Sequence, residues 1–442
     1  MKITPLQDWI AARMGTHGHR LSRADVERRQ LLGLRETVRR ASAESRFYSA
    51  HLGQLSEADI HSLDDLHRFP FTTARDLRRN PYSFLCVSQG NISRVVTLGT
   101  SGTSGEPKRV FFTSEDLEST IDFFRQGMSI LAKRGDRVLI LLPGERPGSV
   151  GDLLREALRR IGAQGIVHDP VNDVPGTLKR MAREHIGVLV GAPAQVLSLA
   201  RQSDGKSAPR SILLSTDHVP AAIVEALRHI WNCEVFTHYG MTEMGYGGGV
   251  ECGAHRGYHM READLCFEIV HPETGRPEPD GVMGEVVFTT LTRVGMPLIR
   301  YRTGDLGRFL PDACPCGTVL KTMDRIEGRI DGRVPIAGGS VLTIAELDEA
   351  LFPMDDLLDF EASISRGGNR DLLRIELSLR DAGKRGARDR ALDALRTVPA
   401  IRSAELRGDL LVTLALRAPA LPATGSTAKR TLVDNRNPER VS

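Results

Sequence analysis

The sequence predicts an α/β protein, with a large N-terminal domain of mixed sheets and helices followed by a small α+β C-terminal domain. Three observations predict it. Between Arg94 and about Ala200, apolar runs such as Arg137-Val-Leu-Ile-Leu-Leu-Pro143 and Gly187-Val-Leu-Val-Gly191 alternate with amphipathic stretches, the rhythm of strand-helix-strand units on a largely parallel sheet. Between about Ser211 and Leu310, strand candidates are separated by turns such as Pro272-Glu-Thr-Gly275 and Pro279-Asp-Gly281, so pairing becomes more antiparallel. After Gly328-Arg-Ile-Asp331 a separate small unit begins.

Taken in order, roughly residues 20 to 95 carry helical spacing, with Leu31, Leu34, Val38, Phe47 and Leu52 on one apolar face and an end near Asn80-Pro81. Amphipathic helices are expected over Ser114 to Ala132 and Gly151 to Arg160. Strands are expected at Ser211-Ile-Leu-Leu, Glu234-Val-Phe, Phe267-Glu-Ile-Val and Gly284-Glu-Val-Val-Phe-Thr-Thr. The small unit reads as helix (Thr343 to Leu351), strand (Leu372 to Leu379), helix (Ala387 to Thr397) and strand (Asp409 to Leu416). A length of 442 residues suits two or three domains, and the boundary is placed near residue 330, dividing 1–329 from 330–442.

A formal charge of +3 in a chain that is 26% charged supplies no basic stripe for nucleic acid and no membrane-binding patch. The longest apolar runs are far too short to cross a bilayer, and the N-terminus lacks a signal layout. Six cysteines without such a signal point to a reducing, cytoplasmic setting in which disulfides are not the expected use.

The densest chemistry lies in Thr97-Leu-Gly-Thr-Ser-Gly-Thr-Ser-Gly-Glu-Pro-Lys108, between two β-like runs. Its glycines let backbone N–H groups turn inward, Thr100, Ser101, Thr103 and Ser104 add hydroxyls around Gly102 and Gly105, and Lys108 adds charge. Such a loop encloses polyphosphate, ATP being the natural guest. It lacks the Gly-Lys-Ser/Thr ending of a Walker loop, and six consecutive small or hydroxylated residues outweigh a plain surface-loop reading.

Three later segments follow in order: Tyr239-Gly-Met-Thr-Glu243, Leu298-Ile-Arg-Tyr-Arg-Thr-Gly-Asp-Leu306 and Asp324-Arg-Ile-Glu-Gly-Arg-Ile-Asp331. With the loop, and with Ser45-Arg-Phe-Tyr-Ser and Phe71-Thr-Thr-Ala-Arg-Asp-Leu77 upstream, the chain resembles the AMP-forming acyl-CoA synthetases and adenylate-forming enzymes, in their phenylacetate-CoA ligase branch. The resemblance implies nucleotide contacts from Tyr239, Gly240, Thr242, Asp305 and Arg329. Tyr239 would stack on adenine, Glu243 hold Mg2+, Asp305 and Arg329 meet the ribose or phosphates, and Asp331 act as the hinge of a mobile C-terminal domain. A carboxylic acid would attack the α-phosphorus with loss of pyrophosphate, and coenzyme A would then take the acyl group.

The family's C-terminal lysine corresponds best to Lys429, although Ala428 stands where a glycine is usual, and an exposed tail lysine is the plain alternative. Leu214-Ser-Thr-Asp-His-Val-Pro220 departs from the family's Gly-Ala-Glu-like adenine segment, which leaves contacts at Thr216 and Asp217 open. Cys252, His259, Cys314 and Cys316 offer four ligands for a closed, structural Zn2+ site, with His255 as a substitute for His259 and free thiols as the alternative. Cys86, Cys233 and Cys266 read as buried hydrophobes.

The leading expectation is an acid-CoA ligase acting on a small carboxylic acid, aryl or arylacetic by resemblance, with a homodimer suggested by analogy alone. An adenylating enzyme with another acceptor, or a degenerate nucleotide-binding protein without turnover, are the alternatives.

Overall fold

The structure, a computed structural model, describes residues 2–15, 21–99, 107–381, 386–417 and 430–436. The glycine-rich segment 100–106 and Lys429 lie outside the described residues, so the expectations for Thr100, Ser101, Gly102, Thr103, Ser104, Gly105 and Lys429 have no structural counterpart here.

The fold is mixed α/β, as predicted. An eight-stranded sheet forms the centre. Five of its strands are parallel, in the order Gln164–Val167, Arg137–Ile140, Val188–Gly191, Ser211–Leu214 and Glu234–Tyr239. Gly249–Glu251, Tyr258–Met260 and Thr322–Met323 extend it antiparallel. The parallel strands are short and apolar on both faces because helices cover both sides, including Ser114–Met128, Val150–Ile161, Pro193–Gln202 and Ala221–Trp231. A second, antiparallel sheet joins Leu265–Val270, Gly284–Thr290, Tyr301–Gly307 and Gly328–Arg329. A hairpin of Arg94–Leu98 and Lys108–Phe112 brackets the glycine-rich segment.

The N-terminal region is less uniformly helical than its spacing predicts. The long helix Arg23–Glu44 and the shorter Arg46–His51 and Ala74–Arg79 are present, but residues between them form 3₁₀ turns, and the Arg94–Leu98 strand closes the region. Repeated Ser/Thr-x-x-Asp capping boxes, at Ser56, Ser62 and Thr73, start new short elements instead of prolonging one helix.

The smaller C-terminal sheet runs in the order Leu410–Arg417, Arg370–Leu379, Leu357–Gly367, Leu432–Asp434. Both outer strands are parallel to their neighbours, and the inner pair is antiparallel. Leu357–Gly367, the helix Pro399–Arg407 and Leu432–Asp434 were not expected from the sequence. This sheet's helix Ile344–Leu351 sits against Ala221–Trp231, and the Glu349 carboxylate accepts from the first N–H groups of that helix, Ala221 at 2.6 Å and Ala222 at 3.0 Å. A carboxylate on the unpaired N–H groups of a helix start is a favourable docking contact. Arg380 adds a bond to the Arg201 carbonyl at 2.9 Å. Among the described residues no helix is long and apolar enough to cross a membrane.

Candidate active site

A cavity of roughly 930 Å³ opens at the C-terminal ends of the parallel strands. Its floor is set by strand ends: Leu142, Val190, Leu213, Ser215 and His238 all line it. Chain reversals at such ends leave a crevice in open α/β sheets, which is where ligands are accommodated. One end of the cavity is polar, lined by Lys108, Gly240, Thr242, Glu243, Tyr301, Thr303 and Arg329; the other is apolar, lined by Phe123, Phe124 and Met128.

The polar end gathers residues from three separated segments. Glu243 is almost fully buried in the 3₁₀ turn Thr242–Met244. Lys108 pairs with its Oε1, and Tyr301 donates to the same oxygen at 3.0 Å. Burial pushes the Glu243 carboxyl up, but the Lys108 charge and the bonds from Lys108 and Tyr301 outweigh it and hold it below the usual carboxylate range. Sequence reasoning did not foresee the Lys108–Glu243 contact or the part played by Tyr301, although Tyr301 lies inside one of the segments singled out.

Asp305 differs from expectation in its local structure. The Thr-Gly-Asp sequence suggests a turn after a strand, yet Asp305 lies within the strand Tyr301–Gly307. Gly304 adopts φ +75°, and the pairing with the neighbouring strand shifts register between Glu285 and Val287. The resulting bulge keeps the strand continuous while redirecting Asp305. Tyr239 donates to its Oδ2 at 3.0 Å and Arg329 Nη1 to its Oδ1 at 2.9 Å. Each carboxylate oxygen retains a free lone pair for a further donor. Arg329 also reaches the Asp331 carboxylate through Nε at 2.9 Å. Tyr239 stands at the end of its strand and not in a separate turn; burial and the Asp305 carboxylate push its hydroxyl pKa well up.

At the segment that departs from the family pattern, Thr216 lines the cavity with φ +78°. A β-branched residue in that region is strained, and such strain collects where a loop must present atoms to a ligand. Asp217 follows it and accepts from the backbone of Arg430.

The profile of the AMP-binding enzyme family matches residues 95–292. The phenylacetate-coenzyme A ligase of Pseudomonas putida is 28% identical, over 73% of this chain and 74% of its own length. That of Escherichia coli is 29% identical over 73% and 75%, and that of Thermus thermophilus 28% over 78% and 80%. The chain belongs to the adenylate-forming, AMP-binding superfamily. Among solved structures, 2-hydroxyisobutyryl-CoA ligase in the postadenylation state with 2-HIB-AMP shares the fold at a TM-score of 0.78, with 22% identity over 95% of this chain and 91% of that one. Against the same ligase with 2-HIB-AMP and CoA in the thioesterification state the TM-score is 0.65.

Away from the cavity, Cys252, His259, Cys314 and Cys316 are all buried and present ligand atoms within 4.8 Å of one another. The Sγ atoms of Cys252 and Cys314 are 3.7 Å apart, and His259 Nε2 lies 3.3 Å from Cys252 Sγ and 3.5 Å from Cys316 Sγ. Tetrahedral zinc with its usual bond lengths sets its ligand atoms about 3.5–3.8 Å apart, so this donor set fits. His259 Nδ1 faces Thr322 Oγ1 at 3.4 Å, a partner that orients the ring. His255 instead points to Glu251, at 3.5 Å, and is not part of the group. Cys86, Cys233 and Cys266 are buried free thiols whose pKa values burial pushes up to about 12, 11 and 12.

Proposed function

We propose that this family member is an ATP-dependent acid-CoA ligase that adenylates a carboxylic acid and passes the acyl group to coenzyme A. The observation that carries the reading is the cavity whose polar end holds Lys108, Glu243, Thr242 and Arg329 and whose other end is apolar. A nucleotide at the polar end would bring its α-phosphate to the boundary, where the carboxylate of an acid seated in the apolar end would meet it.

In this reading the 97–108 loop and Lys108 take the β- and γ-phosphates. The ionised Glu243 supplies the carboxylate for a Mg2+ that accompanies them, with Lys108 moving from Glu243 to the phosphates. Asp305 accepts from the ribose hydroxyls, Arg329 supports it, and Tyr239 and Gly240 form the adenine wall. The attack on the α-phosphorus needs no general base, because a carboxylate is already ionised at neutral pH. The protein's contribution is alignment and cationic groups placed where phosphate charge grows. Lys429 approaches the α-phosphate in this half-reaction, and rotation about Asp331 then exchanges it for coenzyme A. The four-ligand Cys/His group holds a structural zinc and takes no part in the chemistry.

Acid-dependent exchange of pyrophosphate into ATP tests the first half. A panel of aromatic and aliphatic acids is expected to contain at least one that drives exchange, and none doing so returns the reading to a nucleotide-binding protein without turnover. Adding coenzyme A tests the second half by thioester formation; exchange without thioester points to another acceptor.

A further inference from the structure

A polar pair stands among the apolar residues of the cavity. His238, in the strand Glu234–Tyr239, and Ser215, just past the neighbouring strand Ser211–Leu214, both line it. Ser215 Oγ and His238 Nδ1 are 2.9 Å apart, while His238 Nε2 is buried and has no hydrogen-bond partner among the described residues. Around them stand Phe123, Phe124, Met128, Leu142, Val190 and Leu213. The Phe123 and Phe124 rings lie 6.3 Å and 6.4 Å from the imidazole.

A buried nitrogen without a partner costs free energy, so its retention beside Phe123, Phe124 and Met128 points to a partner that arrives with the ligand. The group is held rigidly. The Ser215 N–H donates to Gly191 at 3.1 Å, and His238 pairs in register with Val250 across the sheet. A Cβ on Gly247 would stand 3.3 Å from Nε2 and 2.2 Å from a Phe123 ring carbon, so the glycine lets the Phe123 ring pack close beside the imidazole. Burial holds the His238 pKa down to about 4, which leaves the ring neutral at physiological pH. A neutral imidazole offers one donor and one acceptor; with Nδ1 engaged by Ser215, Nε2 plays whichever role remains.

We propose that His238, backed by Ser215, is the specificity-determining residue of the acyl pocket, and that the acid it selects has an apolar body bearing a hydroxyl group. A hydroxyl both donates and accepts, so it satisfies either tautomer, whereas a bare ring or alkyl chain leaves Nε2 unpaired. This rests on the ligase reading above and narrows its substrate class.

The experiment compares acids in matched pairs by kcat/KM for ATP–pyrophosphate exchange: phenylacetate and benzoate against each of their ring-hydroxyl isomers, and a branched aliphatic acid against its 2-hydroxy form. In the wild type at least one hydroxylated acid is expected to exceed its parent by about 10- to 100-fold, the range a buried unpaired group commands. His238→Leu should reduce that ratio to within about threefold of unity, chiefly by raising KM for the hydroxylated acid, and Ser215→Ala should reduce it partway. If every parent acid matches or exceeds its hydroxylated partners in the wild type, or if the preference survives His238→Leu, the assignment of His238 is overturned while the ligase reading stands. Exchange with no acid at all overturns the ligase reading and this inference with it.

Discussion

The backbone N–H of Arg430 donates to the Asp217 carboxylate at 3.0 Å. The bond ties the residue next to Lys429 to the loop that follows a central parallel strand. The Arg430 guanidinium is itself buried, paired with Asp348 at 2.9 Å and with Asp359, and stacked over Phe360 at 4.5 Å. Asp217→Ala should lower the pyrophosphate-exchange rate about tenfold, the value of one hydrogen bond to a charged acceptor, with little change in melting temperature. Arg430→Ala should also cost about 3–5 kcal/mol of stability, because it strands the buried Asp348 carboxylate and leaves Asp359 only its longer pairing with Arg417. Parallel exchange assays and melting curves separate the two effects; an unchanged exchange rate in Asp217→Ala would detach this contact from adenylation.

The same cluster makes stability depend on pH. Burial pushes the Asp348 carboxyl up to about 7, opposed by the Arg430 charge and reinforced by Asp217 and Asp359. Burial is the largest of these influences and outweighs the Arg430 charge, so the direction is upward. A carboxyl with a raised native pKa binds its proton more tightly when folded, so its contribution is most favourable at low pH and is lost progressively from about pH 4 to about pH 7. Asp348→Asn should flatten the fall in melting temperature across that window, and identical slopes in the two proteins would contradict it.

At the polar end of the cavity, Glu243→Gln should reduce exchange by about 10²–10³-fold while the fold persists, a loss typical of one electrostatic group at a reacting centre. Because the native Glu243 pKa is lowered, its paired, ionised form persists as pH falls below the ordinary carboxylate value. The pairing is lost as pH falls through the native value. Wild-type exchange followed downward in pH should therefore not decline at the ordinary glutamate pKa on account of this residue.

Asp331→Pro tests the proposed hinge. Its carboxylate now accepts from Arg329 Nε at 2.9 Å, and proline would fix φ at the pivot. Exchange should persist, while thioester formation in the presence of coenzyme A should fall by more than about tenfold, as expected when a domain rotation gates the second step. Equal losses in both half-reactions would place the pivot elsewhere.

For the Cys/His cluster, elemental analysis of the purified protein should find close to one zinc per chain. Cys314→Ser should lower both that ratio and the melting temperature, since a closed zinc site contributes directly to folding. Full stability after exhaustive chelation would leave the four residues as packed thiols and a histidine.

Much of this was legible in the sequence because periodicity and glycine placement carry it. Gly284–Thr290 reads as a strand at once, and Ser114–Met128 as a helix with Thr113 at its cap. Leu357–Gly367 escaped notice although Leu358, Phe360, Ala362 and Ile364 alternate along it, because Asp359, Glu361, Ser363 and Ser365 make the segment look like a solvated connection. Its partner Leu432–Asp434 is too short to announce itself and is defined only by pairing with Ala362 to Ile364. At the site, residue types were readable but contacts were not. That Tyr239 and Arg329 converge on opposite oxygens of Asp305 depends on the Gly304 bulge, which no linear pattern encodes. The unpaired Nε2 of His238 likewise emerges only when strands distant in sequence are set side by side.

The order of the small sheet has a mechanical consequence. Leu410–Arg417 and Leu432–Asp434, the strands on either side of residues 418–429, occupy its opposite edges, with two strands between them. Three strand spacings set those two edges roughly 14 Å apart. Arg430 is anchored at the near end, and the α-carbon bonded through the next peptide unit is about 3.8 Å away. Were the small sheet to turn about the proposed hinge, it would act as a crank with Arg430 as its pin. Any such turn would have to break the bond from the Arg430 N–H to Asp217, so that contact reports where the small sheet stands.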